Sequence, residues 1–120
     1  MSKRVLIADD NVVATESLQL LLQFAGHDVR AATSGTRALE VAATFLPDVA
    51  LLDLDMPDLN GFDLARRIRE APWGKKIVLV ALTGWGHEED RRRTAEAGFD
   101  HHLTKPISPD AIDELIRGLK

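Results

Sequence analysis

Five short apolar runs punctuate the chain: RVLIA (4–8), DVRAA (28–32), DVALLD (48–53), KIVLVAL (76–82) and DHHL (100–103). Each has the length of a strand. The first, third and fourth are almost continuously apolar, as expected of strands covered on both faces in a parallel sheet. Between them the apolar spacing becomes helical. Ala14, Leu18, Leu21, Leu22 and Ala25 share one face of a first helix, and Gly26 supplies a left-handed stop. A second helix is predicted from about Thr36 to Phe45, ending before Pro47. A third follows Asn60 as N-cap, with Leu64, Ala65 and Ile68 inward and arginines outward. In a fifth, Ser108 caps, Pro109 takes the first helical position and Ile107 staples onto Ile112.

The fourth helix, about 87–97, differs from the others. Glu88, Glu89 and Asp90 precede Arg91, Arg92 and Arg93, and the pairs Glu88–Arg92 and Glu89–Arg93 fall at i,i+4. Such pairs add only about 0.2–0.5 kcal/mol each. Beyond Ala95 and Ala97 little apolar surface anchors this helix, so it is predicted to be the loosest of the five. Strand–helix alternation repeated five times with short connections predicts an α/β fold: a doubly wound, five-stranded parallel (βα)5 sheet with right-handed crossovers and helices on both faces. The whole of residues 1–120 reads as a single domain, the common size for one core.

Composition narrows the function classes. A net charge of −4 argues against a nucleic-acid surface, and the absence of cysteine removes disulfides and thiolate metal sites. No apolar run approaches membrane-spanning length and the N-terminus lacks a signal-peptide core, so a soluble cytoplasmic domain is expected, without a membrane partner.

In sheets of this kind ligands gather at the carboxyl ends of the strands. Strand one ends in Asp9-Asp10, strand three in Asp53, strand four in Thr83-Gly84, and strand five leads into Lys105-Pro106. Asp9 or Asp10 alone would read as a helix N-cap. Together, opposite another strand-terminal aspartate, they read as a metal site. At ~5 Å and an effective dielectric of ~20, each like-charge pair costs roughly 3 kcal/mol. A hard divalent cation removes that cost, and an all-oxygen carboxylate set favours Mg²⁺ or Mn²⁺ over zinc. Acids, a hard cation, Lys105 and the Thr83 hydroxyl suit phosphoryl transfer, with Asp53 as the nucleophile that forms an acyl phosphate.

The ordered set of Asp9-Asp10, Asp53 with Met56-Pro57 and Gly61, Thr83-Gly84 and Lys105-Pro106 resembles the receiver domain of two-component response regulators, over essentially the whole chain. The resemblance implies a flavodoxin-like fold with strand order 2-1-3-4-5. It implies Asp53 as phosphoacceptor from a histidine kinase or histidine phosphotransfer protein. Asp10 and Asp53 would bind Mg²⁺ by side chain, Asp9 through water and Asp55 through its backbone carbonyl. Thr83 would turn toward the phosphoryl oxygens, Lys105 would pair with them, and the bond before Pro106 would be cis. The domain would catalyse only its own phosphorylation and dephosphorylation, switch the face of helix four, strand five and helix five toward a downstream protein of unknown identity, and act as a monomer or weak dimer. His102 stands where many receivers place an aromatic switch residue, and Trp85 would lie beside the phosphoryl group. The stretch GWGHEEDRRRTAEAGFDHHLTKP is similar to receivers of hybrid sensor histidine kinases, so the chain is either a stand-alone receiver or one cut from a longer protein.

Other readings compete. Asp53-Leu54-Asp55 is similar to the DxD nucleophile motif of haloacid-dehalogenase-like phosphatases, but there the motif follows the first strand and not the third. A receiver-like module that only binds would not require the full acidic set. A flavodoxin would need a Ser/Thr-rich phosphate loop after strand one. His101 and His102, adjacent on a strand, point to opposite faces and do not suggest zinc. Asp58 and Asn60 read as turn and cap residues, and Arg91–Arg93 as a solvated helix face.

Overall fold

The computed structural model, which describes residues 2–56, 58–84, 88–105 and 107–119 (backbone alone for 88–91 and 109), places the five apolar runs side by side. Strands β1 (Arg4–Ala8), β2 (Asp28–Ala32), β3 (Val49–Asp53), β4 (Val78–Thr83) and β5 (His101–Thr104) form one sheet in the order β2-β1-β3-β4-β5. Every neighbouring pair is parallel. Helices α1 (Val12–Phe24), α2 (Gly35–Phe45), α3 (Gly61–Glu70), α4 (Glu88–Ala97) and α5 (Pro109–Arg117) fill the crossovers, with a 3-10 turn at Pro72–Gly74. The alternation predicts the doubly wound parallel sheet, and the family resemblance implies this flavodoxin-like strand order.

The period-2 geometry of the strands splits the core into two layers. Leu6, Ala50, Leu52, Leu79 and Ala81 face one way and pack against Ala38, Ala42, Leu64, Ala65, Ile68 and Ala97 of α2, α3 and α4. Val5, Ile7, Val49, Leu51, Val80 and Leu82 face the other way, against Leu22 of α1 and Ile112 and Ile116 of α5. All five residues of β3 are buried, which explains its unbroken apolar character.

Several local expectations change. The strand predicted at 76–82 runs from Val78 to Thr83, because the turn after Gly74 continues through Lys75 and Lys76. On α1 the sheet-facing positions are Thr15, Leu18 and Leu22, whereas Leu21, Ala14 and Ala25 are exposed. Gly26 does supply the left-handed stop, at φ +98. Ser108 occupies the N-cap of α5 without a side-chain capping hydrogen bond, although Ile107 packs on the cluster containing Ile112. Not all of the α3 arginines point outward: the Arg69 guanidinium donates to the carbonyls of Gly98 (3.0 Å), Gly74 (2.9 Å) and Ile77 (2.7 Å) and pairs with Asp100 at 2.8 Å. It thus pins the C-terminal end of α4 to α3 and β4. Along α4, Thr94 and Ala97 are buried and Arg93 lies over the Phe62 ring at 4.3 Å. The predicted Glu88–Arg92 and Glu89–Arg93 pairs lie outside the described side chains. Among the described residues no helix is long and apolar enough to cross a membrane.

Candidate functional site

The carboxyl ends of β1, β3, β4 and β5 meet at one rim, and the predicted residues meet there with them. Register fixes this: Ala8 pairs with Leu52, Asp53 with Leu82, and Thr83 with Thr104, so the residues after each strand emerge together. The closest carboxylate oxygens of Asp9, Asp10 and Asp53 all lie within 4.8 Å of one another. Asp9 and Asp53 are buried and Asp10 is exposed, so the cluster opens to solvent on one side.

Local backbone chemistry sets each acid. Asp9 accepts the Asn11 amide at 3.0 Å, and Asn11 in turn caps α1 by accepting from the Ala14 amide at 3.1 Å. The buried Thr15 hydroxyl donates to the carbonyls of Asp9 (3.1 Å) and Asn11 (2.8 Å), bracing the turn. Asp53 accepts the Asp55 amide at 3.3 Å. Behind it Gly61 must lack a side chain: a Cβ there would sit 2.5 Å from the Asp53 carbonyl oxygen and 2.8 Å from the Leu54 Cα. Lys105 reaches in from the end of β5, with its Nζ 3.2 Å from Asp9 and 3.3 Å from Asp53. Its own amide donates to the Thr83 carbonyl at 2.6 Å, and Thr83 is buried at the end of β4.

The electrostatics follow from this geometry. Burial pushes the Asp53 carboxyl above its ordinary value and the Asp9 charge adds to the rise, while the Asp55 amide and Lys105 oppose it. For Lys105, burial works against the charged form, but the Asp53 and Asp9 carboxylates outweigh it and hold the ammonium above its ordinary value. Among the described residues, Lys105 pairs with two of the three clustered carboxylates, so its single charge does not balance the cluster.

The donor set fits a hard cation. Octahedral Mg²⁺ with ~2.0–2.1 Å bonds separates its oxygen ligands by about 2.9–4.2 Å, close to the spacing of these carboxylates. His102 on β5 is half-buried and borders a shallow cleft with Thr94, Ala95 and Phe99, against α4. Pro57, Trp85 and Pro106, singled out in the sequence, lie outside the described residues.

Sequence reasoning gave Asp58 too small a part. Its carboxylate accepts the amides of Gly35 and Thr36, both at 3.0 Å, across the gap between the β3–α3 loop and α2. The tight pairing of Gly35 with Leu59, where a Cβ would overlap the Leu59 carbonyl, is a second contact of the same kind. A Ser-Gly pair opening α2 was the visible trace of it.

Residues 5–117 match the family model described as the response regulator receiver domain. The chain is 35% identical over 120 residues to the response regulator MprA of Mycobacterium ulcerans, covering all of this chain and 50% of that protein, so it spans half the length of that relative. Its fold superposes on the chemotaxis protein CheY4 of Vibrio cholerae with a TM-score of 0.92 at 28% identity, covering 99% of this chain and 100% of that one. It is also similar to the receiver domain of the sensor histidine kinase PA1611 of Pseudomonas aeruginosa, solved with a magnesium ion in its active site cleft. There the TM-score is 0.88 at 26% identity, over 98% of this chain and 96% of that one.

Proposed function

This chain belongs to the response regulator receiver family, and from that premise we propose that Asp53 is its phosphoacceptor, served by Mg²⁺ or Mn²⁺ at the acid cluster. The observation that carries the reading is the convergence of Asp9, Asp10 and Asp53 with Lys105 at one rim. Asp10 and Asp53 would hold the ion by side chain, Asp9 through water and Asp55 through its carbonyl. When bound, the cation offsets carboxylate repulsion and the charge of the incoming phosphoryl group.

The chain's own residues do the rest. An Asp53 oxygen attacks the phosphorus of a phosphohistidine; the O–P bond forms, the N–P bond breaks, and the imidazole leaves with its electron pair. Lys105 already bridges Asp9 and Asp53, so its ammonium is placed to pair with the phosphoryl oxygens. Thr83, buried at the end of β4, supplies a hydroxyl, and its movement would reset the loop after β4 and then α4. That helix is held by little apolar surface, which suits it to move. His102, at the α4–β5 cleft, is the residue we assign to follow Thr83. The output is a changed α4–β5–α5 face presented to a downstream protein.

Helix α1 supports a docking role for the phosphodonor, a histidine kinase or phosphotransfer protein. Val13, Leu20 and Phe24 are 74%, 66% and 95% exposed, with Val12 and Leu21 about half exposed beside them. A patch of this kind marks a protein contact. A cavity of about 360 Å³ connects α1 to the site, lined by Ala14, Leu18, Leu21, Asp9 and Lys105. A helix laid on this face would bring its histidine to the rim that holds Asp53. We place the protein in the cytoplasm and read residues 1–120 as one receiver domain.

A Mg²⁺-dependent reaction with acetyl phosphate tests the reading. One phosphoryl group per chain is expected, and none in Asp53→Asn. Repeated turnover of an aryl phosphate ester would instead favour the haloacid-dehalogenase-like use of Asp53 and Asp55. Failure to take up phosphate at all would favour a module that only binds.

A further inference from the structure

We propose that Asp58 is a positioning residue for the metal site, fixing the β3–α3 loop to the N-terminus of α2 so that the Asp55 carbonyl is held beside Asp53. This rests on the reading of the acid cluster as a Mg²⁺ site.

Around the β3–α3 connection, Leu54 and Met56 are core residues, Leu59 packs against the same cluster, and Asn60 caps α3 by accepting the Asp63 amide. At the start of the connection the Leu54 amide bonds the Leu82 carbonyl at 3.2 Å, and at its end the Gly61 amide returns to the Leu54 carbonyl at 3.2 Å. Between these points Asp55 is exposed and makes its amide bond to Asp53. Met56 is buried in the α2–α3–α4 layer. Asp58 then crosses to α2, taking the Gly35 and Thr36 amides at 3.0 Å each.

These are the first two unsatisfied donors of α2. The third, the Arg37 amide, is taken by Ser34 at 3.2 Å, the helix's own N-cap. Capping of α2 is therefore divided between a local residue and a distant one. The distant one lies three positions beyond Asp55, on the segment that carries the proposed ligand.

The Thr36 hydroxyl and amide and the Gly35 amide hold the Asp58 carboxyl well below the usual carboxylate range. The tether is thus a charged one at all ordinary pH values, and the positive end of the α2 dipole favours it. Gly35 lets the two segments touch, since any side chain there would run into Leu59.

The division of capping provides its own control. Asp58→Ala and Ser34→Ala each remove caps from α2, and each lowers the melting temperature. Only Asp58→Ala frees the metal-side loop. Titration of the unphosphorylated protein with MgCl2, read by calorimetry, should show Asp58→Ala weakened roughly 10-fold, in the range for residues that orient a ligand. Ser34→Ala should bind as wild type, and Asp58→Asn, which keeps one acceptor, should fall between. If Asp58→Ala does not fold, Asp58→Asn against Ser34→Ala makes the same comparison. Wild-type affinity in the Asp58 variants, or equal loss in Ser34→Ala, overturns the proposal. Absence of Mg²⁺ binding in wild type, or undiminished binding in Asp53→Asn, overturns it too, together with the metal site itself. That outcome is distinct from an Asp58 effect missing in a protein that binds the ion.

Discussion

Asp53 sits at the end of a fully buried strand, with a second buried carboxylate beside it and a single lysine between them. Its folded-state pKa is raised, chiefly by burial. A raised carboxylate pKa adds stability below the unfolded value of about 3.9 and loses it as pH climbs through the folded value. At neutral pH without metal, the ionised Asp53 is therefore a stability cost that Asp53→Asn lacks. Thermal melts in EDTA should show Asp53→Asn above wild type by several degrees at pH 7, with the gap closing toward pH 3.5. Added Mg²⁺ should raise the wild type more than the variant. A gap that does not change with pH would contradict this account of Asp53. Gly61 tests the same site sterically: Gly61→Ala drives a methyl group into the Asp53 and Leu54 backbone. It should cost about 1–3 kcal/mol in denaturant melts, as overpacking does, and weaken Mg²⁺ binding as well.

At the scale of elements, strands were easier to read than helix faces. Short, continuous apolar runs such as VALLD read as strands buried on both sides, and the acids at their ends pointed to the site. Helix α1 was ambiguous because LQLLLQF offers leucines on nearly every side. Periodicity alone could not choose between Leu21 and Thr15 for the inward row, and the sheet chose Thr15, Leu18 and Leu22. The leucines and Phe24 left outside form the exposed face that we propose for docking. Phe24→Lys, on a side chain 95% exposed, should leave the fold and labelling by acetyl phosphate intact. It should slow transfer from a phosphorylated histidine protein by tenfold or more, measured as initial rate. Equal loss with both donors would place the effect in the site and not in docking. Among the described side chains of α4, Thr94 and Ala97 are buried, Arg93 lies over Phe62 and the Arg69 clamp holds its end. The Arg69 clamp was illegible in advance, since an arginine in RRIRE reads as solvated until its carbonyl partners are known.

Across the whole molecule, the acid cluster exists because a parallel sheet of order β2-β1-β3-β4-β5 sets β1 beside β3 and β5 beyond β4. That brings residues 9, 10, 53, 83 and 105 to one rim. The sequence pattern sufficed for this much, because strand ends in such folds share an edge. Contacts that depend on how loops lie across the rim did not show in the pattern. Asp58 looked like a turn residue, and its bond to α2 spans 22 residues with no local signature. The central claim is that this rim accepts a phosphoryl group on one defined carboxylate. Incubation with a phosphorylated histidine donor and Mg²⁺, followed by peptide mass mapping, tests it most directly. The account predicts one added phosphoryl group, located on Asp53, absent without divalent metal and absent in Asp53→Asn. Label on another residue, or label retained in Asp53→Asn, would contradict it.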